Sequence, residues 1–285
     1  MVQTICICGA GTMGAGIAQV AIQSGFNSIL YDVNEAMLPN AKISIEKNLQ
    51  LLLEKNRINK AENNASLQRL RLTGDIGACV ADLVIEAVVE KPEIKVKLFN
   101  QLAAVNNPYC IFATNTSSLS VTAIAEKTNH PERVVGMHFF NPAPLMKLVE
   151  IVRTDYSSEA AISTVFALAK KMNKIPVLCR DAPGFIVNHV ARPYYLEALK
   201  LLEEGIADIE TIDQLMEASG FKMGPFRLMD LIGNDVNLAV SSSVYEAMQR
   251  PPRLQPSPIQ QQKVSAGQLG RKTGRGYYDY HTTKK

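Results

Sequence analysis

The sequence lacks the features that would assign it to several special classes of protein. No apolar run approaches the roughly 18 residues that a membrane span requires. No basic leader precedes the first apolar segment, so we expect no secretory signal. The 30 basic and 27 acidic residues leave a net charge of +3, which is too small to indicate a nucleic-acid-binding surface.

Cysteine occurs in an odd number and without the spacing of a disulfide framework or a metal site. The chain has neither a Cys-x-x-Cys pair nor a Cys/His cluster, and His130, His189 and His281 have no metal-binding spacing, so we expect no bound metal. Four of the five cysteines lie in or at the end of apolar runs, where a free thiol behaves as a small buried hydrophobe. The five are Cys6, Cys8, Cys79, Cys110 and Cys179. This usage favours a reducing, cytoplasmic location.

The composition is that of an ordinary globular protein of about two domains. Apolar residues make up 47% of the 285 residues and charged residues 20%. Short apolar runs alternate with helical patterns in the first half, which predicts a Rossmann-type, mostly parallel α/β sheet. The strand-like runs are residues 4–8, 28–31, 83–88, 110–113, 134–137, 148–152 and 175–178. A polar stretch at residues 34–82 predicts a helical pair inserted into this sheet domain.

The pattern changes to helical near Gly184, so we predict two domains, residues 1–183 and 184–285, the second all-helical. Residues 185–204 form one long predicted helix, ended by Gly205 in a capping position. Asp208 is a candidate N-cap for the next helix. The aromatic run at residues 276–278 is the only later segment that resembles a strand.

A glycine-rich loop follows the first predicted strand and opens a predicted helix. Gly9, Gly11 and Gly14 form the pattern G-x-G-x-x-G, which allows a tight turn, close approach of a pyrophosphate and close packing of the helix. Asp32 ends the next strand at the distance typical of an acid that binds the ribose hydroxyls. A carboxylate there repels a 2′-phosphate, so we expect NAD rather than NADP as cofactor. A solvated acid beside an ordinary tight turn is the structural alternative.

His138 and Glu150 are the candidate acid–base pair. His138 ends an apolar run, and ligands of an open parallel sheet gather at the carboxyl ends of its strands. An imidazole titrates near neutrality and can accept a proton from an alcohol. Glu150 interrupts another apolar run, where a buried charge requires a partner such as an imidazolium. A backbone-bonded histidine and a solvent-facing edge acid are the structural alternatives.

Two further polar sites have both a functional and a structural interpretation. The polar run at residues 114–118 follows a predicted strand, so it should reach the same rim as His138. The structural interpretation is a cap for the next helix, which is compatible with ligand contact. Asn188, on the first turns of the long second-domain helix, is either a hydrogen-bonded core amide or a donor facing a cleft between the domains.

Taken together, these motifs resemble the 3-hydroxyacyl-CoA dehydrogenase family, and most closely its bacterial 3-hydroxybutyryl-CoA members. The resemblance covers nearly the whole chain. It is carried by GAGTMGAGIA, EAVVEK, TNTSSLS, GMHFFNPAPLMKLVEI, PGFIVN, ARPYYLEAL, GPFRLMDLIGND and GRKTGRGYYDY, in this order. One departure is His189, which stands where an arginine is usual.

The resemblance implies a role for each matching residue. His138 corresponds to the general acid/base, Glu150 to the acid that orients it, and Ser117 and Asn188 to groups that contact the substrate. The implied cofactor contacts, besides the glycine loop, are Asp32, Glu90, Lys95, Asn115, Asn141 and Lys272. Asn48 and Lys55 correspond to positions that bind the CoA portion, and lysines there suit its phosphates.

The activity that the resemblance implies is reversible, NAD-dependent oxidation of a (3S)-3-hydroxyacyl-CoA, such as 3-hydroxybutyryl-CoA, to the 3-ketoacyl-CoA. A 3-hydroxyadipyl-CoA dehydrogenase of aromatic degradation is one alternative, and a non-catalytic NAD-binding structural protein is another. The resemblance also implies a homodimer through the helical domain. The apolar residues that would supply the dimer surface, or else fill that domain's own core, are Tyr194, Tyr195, Leu196, Leu199 and Leu202.

Overall fold

The computed structural model describes residues 2–281, and the chain divides into two compact units, Met1–Ala182 and Pro183–Lys285. The first unit alternates strands and helices along the chain. Its elements are β1 (Thr4–Cys8), α1 (Thr12–Gln23), β2 (Asn27–Tyr31), α2 (Met37–Glu54), α3 (Lys60–Gln68), β3 (Leu70–Thr73), β4 (Leu83–Glu86), α4 (Pro92–Val105), β5 (Ile111–Thr114), α5 (Val121–Glu126), β6 (Val134–Phe139), β7 (Leu148–Arg153), α6 (Glu159–Lys171) and β8 (Ile175–Arg180).

One eight-stranded sheet runs through this unit in the order β3-β2-β1-β4-β5-β6-β7-β8. Every neighbouring pair is parallel except β6 and β7, which are antiparallel. The carboxyl ends of β1, β4, β5 and β6 therefore meet at one edge. The chain order reverses between β1 and β4, and such a switch point is where open α/β sheets bind ligands.

The inner strands are apolar because helices cover both of their faces. β1 and β4 are buried along nearly their whole length, and their side chains join one core with the apolar face of α1. The cysteines contribute to this interior as predicted: all five thiols are free, and four are buried. Burial raises the pKa of Cys110 and of Cys179 to about 12, so both thiols stay protonated and unreactive.

The second unit is helical. Its elements are α7 (Val187–Glu203), α8 (Ile209–Ala218), α9 (Pro225–Ile232), α10 (Asn234–Ala247) and α11 (Pro258–Ser265), with short 3₁₀ turns at Pro252–Leu254 and Arg271–Thr273. Gly205 follows α7 with a positive φ of 67°, and Asp208 caps α8 by accepting a hydrogen bond from Thr211 N at 2.8 Å. Both predicted helix boundaries are confirmed. None of the helices within residues 2–281 combines the length and apolar character that crossing a membrane requires.

The fold class is confirmed, including the inserted helical pair, which is α2 and α3. Two details differ from the prediction. β3 follows the helical pair and was not predicted, because a short, half-buried edge strand has no continuous apolar run. Residues 276–278 do not form a strand, and the isolated bridges nearby join Arg275 to Gly270 and to Asp279. The amides of Tyr277 and Tyr278 instead donate to the Asp230 carboxylate, each at 2.9 Å.

The residues expected at a dimer surface lie mainly in the core of the second unit. Tyr195, Leu196 and Leu199 are buried there, and Tyr194 and Leu202 pack against the same cluster. For these side chains, the structure supports the alternative that they fill the domain's own core.

Candidate active site

The glycine loop connects β1 to α1 at the sheet's switch point. A Cβ on Gly9 would lie 2.5 Å from Ala87 O, and one on Gly14 would lie 1.7 Å from Gly9 O, so backbone packing requires both glycines. A Cβ on Gly11 would meet no atom of the described residues within 4 Å. Gly11 therefore borders open space, where a ligand can approach the backbone.

Asp32 follows β2 and lies beside this loop. Its Oδ2 accepts a hydrogen bond from Ala10 N at 2.7 Å, and its Oδ1 accepts one from Asn34 N at 2.9 Å. The N-cap of α1 is Gly11, and within residues 2–281 no side chain caps that terminus. The helix thus presents its partial positive charge toward the open space. This combination of open space, helix terminus and acid fits a dinucleotide with its pyrophosphate at Gly11 and its ribose at Asp32.

Asn141 and Asn48 lie close to the glycine loop. Together with Gly11 and Thr12 they line a cavity of about 270 Å³ between α1, α2 and the loop after β6. Asn48 also donates through Nδ2 to Gln19 Oε1 at 3.0 Å. Lys55 lies just beyond the last residue of α2 and is exposed.

His138 and Glu150 face each other directly across the antiparallel pair of β6 and β7. The distance from His138 Nδ1 to Glu150 Oε2 is 2.7 Å, and the two side chains are 7% and 1% exposed. The ring of Phe140 packs against the imidazole with a centroid distance of 4.5 Å. The imidazole is therefore held in one orientation, with a carboxylate on one nitrogen that stabilises a positive charge on the ring.

The loop after β5 carries Asn115 and Ser117. Asn115 Oδ1 accepts a hydrogen bond from Phe139 N at 2.8 Å, which ties this loop to the residue next to His138. The helix-capping role belongs to Ser120, whose Oγ accepts from Ala123 N at 3.1 Å. Residues 114–118 therefore lie at the sheet rim without serving as the N-cap of α5.

Glu90 and Lys95 belong to a charged network that also contains Glu86. Lys95 Nζ lies 2.6 Å from Glu86 Oε1 and 3.0 Å from Glu90 Oε2, and the Lys95 side chain is only 1% exposed. Glu86 was not singled out from the sequence. The signal was present, because a carboxylate that ends an apolar strand requires a partner, as was argued for Glu150.

The second unit holds the two remaining candidates. Asn188 lies in the first turn of α7. Lys272 lies in the turn Arg271–Thr273, with Nζ at 2.6 Å and 2.7 Å from the two carboxylate oxygens of Asp235. The unusual His189 places Nδ1 3.0 Å from Pro183 O.

A doubly wound sheet, a glycine loop with an acid after β2 and a buried histidine–carboxylate pair are together typical of NAD-dependent dehydrogenases. Comparison with known proteins identifies the family. Residues 4–182 match the 3-hydroxyacyl-CoA dehydrogenase NAD binding domain, and residues 184–280 match the C-terminal domain of the same family. The chain belongs to the 3-hydroxyacyl-CoA dehydrogenase family, which confirms the predicted family, its enzyme class and NAD as its cofactor.

Individual relatives show how far the similarity extends. The chain is 46% identical to 3-hydroxyadipyl-CoA dehydrogenase of Escherichia coli K12, an alignment that covers 100% of this chain and 60% of that protein. It is 41% identical to a probable 3-hydroxybutyryl-CoA dehydrogenase of Deinococcus radiodurans, covering 96% and 99%. The crystal structure of 3-hydroxybutyryl-CoA dehydrogenase from E. coli K12 superposes with a TM-score of 0.96 at 46% identity, covering 100% of this chain and 61% of that one.

Proposed function

We propose that this protein catalyses the reversible, NAD-dependent oxidation of a (3S)-3-hydroxyacyl-CoA to the 3-ketoacyl-CoA. The observation that carries the proposal is the buried pair of His138 and Glu150, 2.7 Å apart at the same edge of the sheet as the glycine loop. A neutral imidazole oriented by a carboxylate is suited to remove the proton of an alcohol.

His138 and Glu150 have separate roles in the transfer of the hydroxyl proton. In oxidation, His138 Nε2 takes the hydroxyl proton, and Glu150 beside Nδ1 stabilises the imidazolium that forms, so no unpaired charge is created in the buried site. When bound, NAD supplies the acceptor for the hydride. Ser117 and Asn188 hydrogen-bond the substrate's 3-oxygen and fix the reacting carbon.

Cofactor binding rests on Gly9, Gly11, Gly14 and Asp32. The proposed contacts beyond these are Glu90, Lys95, Asn115, Asn141 and Lys272, and Asn48 and Lys55 contact the CoA portion. Asp32 sets the preference for NAD, because its carboxylate would repel the 2′-phosphate of NADP. Rates with NADPH comparable to those with NADH would contradict this assignment.

The identity of the acyl group has two candidates. 3-Hydroxybutyryl-CoA matches the name of the Deinococcus relative. A 3-hydroxyadipyl-CoA is favoured by the 46% identity to the E. coli enzyme of that name. The two substrates differ in a terminal carboxylate, so the enzyme must either accommodate or exclude that charge.

The experiment that tests the function is NADH oxidation by the purified protein with a panel of 3-ketoacyl-CoA substrates of increasing length, with and without a terminal carboxylate. We expect turnover with at least one member, and the ratio of kcat/KM values decides between the candidates. Absence of turnover with every member would refute the proposal and favour a non-catalytic NAD-binding protein.

The two domains have separate roles in this proposal. Residues 1–183 hold most of the NAD contacts and the acid–base pair, and residues 184–285 contribute to substrate binding and form a homodimer. The second unit exposes Leu215, Phe221 and Leu231, which offer apolar surface for such an interface. Light scattering of the pure protein tests the dimer. The proposed location is the cytoplasm, where five free thiols are stable.

A further inference from the structure

Three charged side chains form a network between the end of β4 and the start of α4. Glu86 is fully buried and Lys95 is 1% exposed, whereas Glu90 is 39% exposed. Lys95 Nζ lies 2.6 Å from Glu86 Oε1 and 3.0 Å from Glu90 Oε2. The lysine therefore joins the last residue of β4 to the loop that follows it.

Glu86 also holds the neighbouring strand. Its Oε2 accepts a hydrogen bond from Thr114 Oγ1 at 2.7 Å, and its Oε1 accepts one from Val88 N at 2.7 Å. Glu86 and Thr114 are register partners in the parallel pair of β4 and β5. Thr114 Oγ1 in turn accepts from Thr116 N at 3.3 Å. One buried carboxylate thus connects Lys95 to the first residues of the loop at 114–118.

Glu90 holds the far end of the same loop. Its Oε1 accepts hydrogen bonds from Thr116 Oγ1 and, at 3.1 Å, from Ser118 Oγ. Thr116 Oγ1 accepts from Leu119 N at 3.0 Å and from Ser118 N at 3.3 Å. The amides of residues 116, 118 and 119 are therefore fixed by hydroxyls that the two carboxylates hold.

The pKa values of the two carboxylates in this network shift in opposite directions. Burial raises the pKa of Glu86, although Lys95 and Thr114 oppose the shift. Burial also acts to raise the pKa of Glu90, but Lys95, Thr116 and Ser118 outweigh it and lower that pKa. A buried ion network is often no more stabilising than apolar side chains of the same volume. Packing alone therefore does not explain why charged side chains occupy these positions. The fixed geometry that they give the neighbouring loop does explain it.

We propose that Glu86 is a positioning residue that clamps the 114–118 loop, and so fixes Ser117 and Asn115, the latter bonded to the residue next to His138. The inference rests on the proposed function for its catalytic consequence. Lys95 Nζ lies between the two carboxylates, so Glu86 also fixes the position of this proposed cofactor contact. The link to His138 is Asn115, which accepts the hydrogen bond from Phe139 N at 2.8 Å.

Glu86→Gln tests the clamp, and Asp82→Asn is its matched control. Gln keeps the volume of Glu86 and removes the charge that holds Lys95. Asp82 lies just before the opposite end of β4, where it accepts from Gln3 N and Thr4 N at 2.7 Å and 2.9 Å. The measurements are hydrogen exchange at residues 116, 118 and 119 in the free protein, then kcat and KM with the best 3-ketoacyl-CoA.

In Glu86→Gln we expect faster exchange at these three amides and a kcat lower by about 10- to 100-fold with little change in KM, because misplacement of a positioning group costs rate. Asp82→Asn should leave exchange at these amides and kcat near wild type. Unchanged exchange and kcat in Glu86→Gln, or a loss of thermal stability alone, would overturn the clamp. If the wild type turned over no acyl-CoA, the proposed function would fail, while the exchange result would still decide whether the clamp exists.

Discussion

Buried carboxylates have different partners in the two units of this protein. In the first unit, Glu150 lies 2.7 Å from His138 and Glu86 lies 2.6 Å from Lys95, so each acid faces a side chain that can carry a positive charge. Both pairs lie at or next to the carboxyl ends of the central strands. Buried charges of this kind are costly unless the pairing is complete, and they concentrate where chemistry needs them.

In the second unit, the buried acids accept hydrogen bonds from the backbone and from tyrosine hydroxyls. Asp213 accepts from Phe226 N and Arg227 N, both at 2.9 Å, and from Tyr278 Oη at 2.8 Å. Asp213 therefore caps the start of α9 and ties Tyr278 to it. The comparison shows that burial of a carboxylate does not identify a site by itself. The partner does: the acids that pair with a basic side chain lie at the proposed site, and the acid held by backbone amides and a tyrosine hydroxyl ties structural elements together.

The largest expected effect is the loss of catalysis on removal of the acid–base histidine in the first unit. His138→Gln removes the proton acceptor, and loss of a positioned base costs about 10²–10⁴-fold in rate. We expect kcat to fall by this factor in a protein that is still folded at the assay temperature, with a lower midpoint of thermal unfolding because Glu150 loses its buried partner. His130→Gln is the matched control, because that histidine is 49% exposed and pairs only loosely with Glu132. Equal losses of kcat in both variants would show that the effect is not specific to the buried histidine.

A smaller effect is expected at the cofactor loop. Gly11→Ala adds a Cβ to open space at a φ of −71°, so the fold should tolerate it, while the methyl group obstructs a pyrophosphate. We expect the Kd for NADH to rise by about 10-fold, or about 1.4 kcal/mol, with an unchanged unfolding midpoint. Gly14→Ala is the contrast, because its Cβ would collide with Gly9 O and prevent normal folding. Unaltered NADH fluorescence titration of Gly11→Ala would contradict the assigned pyrophosphate position.

Tyr278→Phe tests the structural role of the buried acid Asp213 in the second unit. It removes the hydroxyl that donates to Asp213 at 2.8 Å, and a hydrogen bond to a charged group contributes about 1.5–3 kcal/mol. We expect a lower urea midpoint for the second unit and a kcat close to wild type at room temperature. Tyr109→Phe, at a side chain that is 88% exposed, controls for the substitution. A kcat that falls as far as in His138→Gln would mean that the second unit's acids also serve the chemistry.

The smallest effect is expected for a charge pair on the surface. Arg250 Nε lies 2.7 Å from Glu246 Oε2, with side chains that are 67% and 56% exposed. Solvent and salt screen such a pair, so Arg250→Gln should leave both the urea midpoint and kcat unchanged. A clear shift in either quantity would show that exposure is a poor guide to the role of an ion pair here.

Seven of the eight strands, the glycine loop and the cap of α8 could be predicted from the sequence because their signals are local. Asp208 lies three residues before its hydrogen-bond partner, and β1 is one apolar run. The His138–Glu150 pairing could also be predicted, because both residues are polar positions in apolar strands. Its antiparallel register was not, since that depends on how β7 pairs with β6.

The buried network of Lys95 could not be predicted from residue type. Helix α4 contains both Lys95 and Lys97, yet only Lys95 faces the interior. The side that faces inward is set by the packing of α4 against the sheet, which no local pattern of charges specifies. Glu86 ends an apolar strand, which indicates a buried partner, but the identity of its partners Lys95 and Thr114 depends on how a helix and a second strand pack against it.

One paired measurement tests the difference between the two units most directly: kcat and the unfolding midpoint of Glu150→Gln and of Asp213→Asn, determined side by side. Glu150→Gln should lower kcat by about 10-fold or more, because the imidazolium loses its counter-charge, and should leave the midpoint near wild type. Asp213→Asn should lower the midpoint, because its amide faces the backbone donors of Phe226 and Arg227, and should leave kcat near wild type. If both variants lost the same property, the assignment of chemistry to the first unit's acids and of folding to the second unit's acids would be wrong.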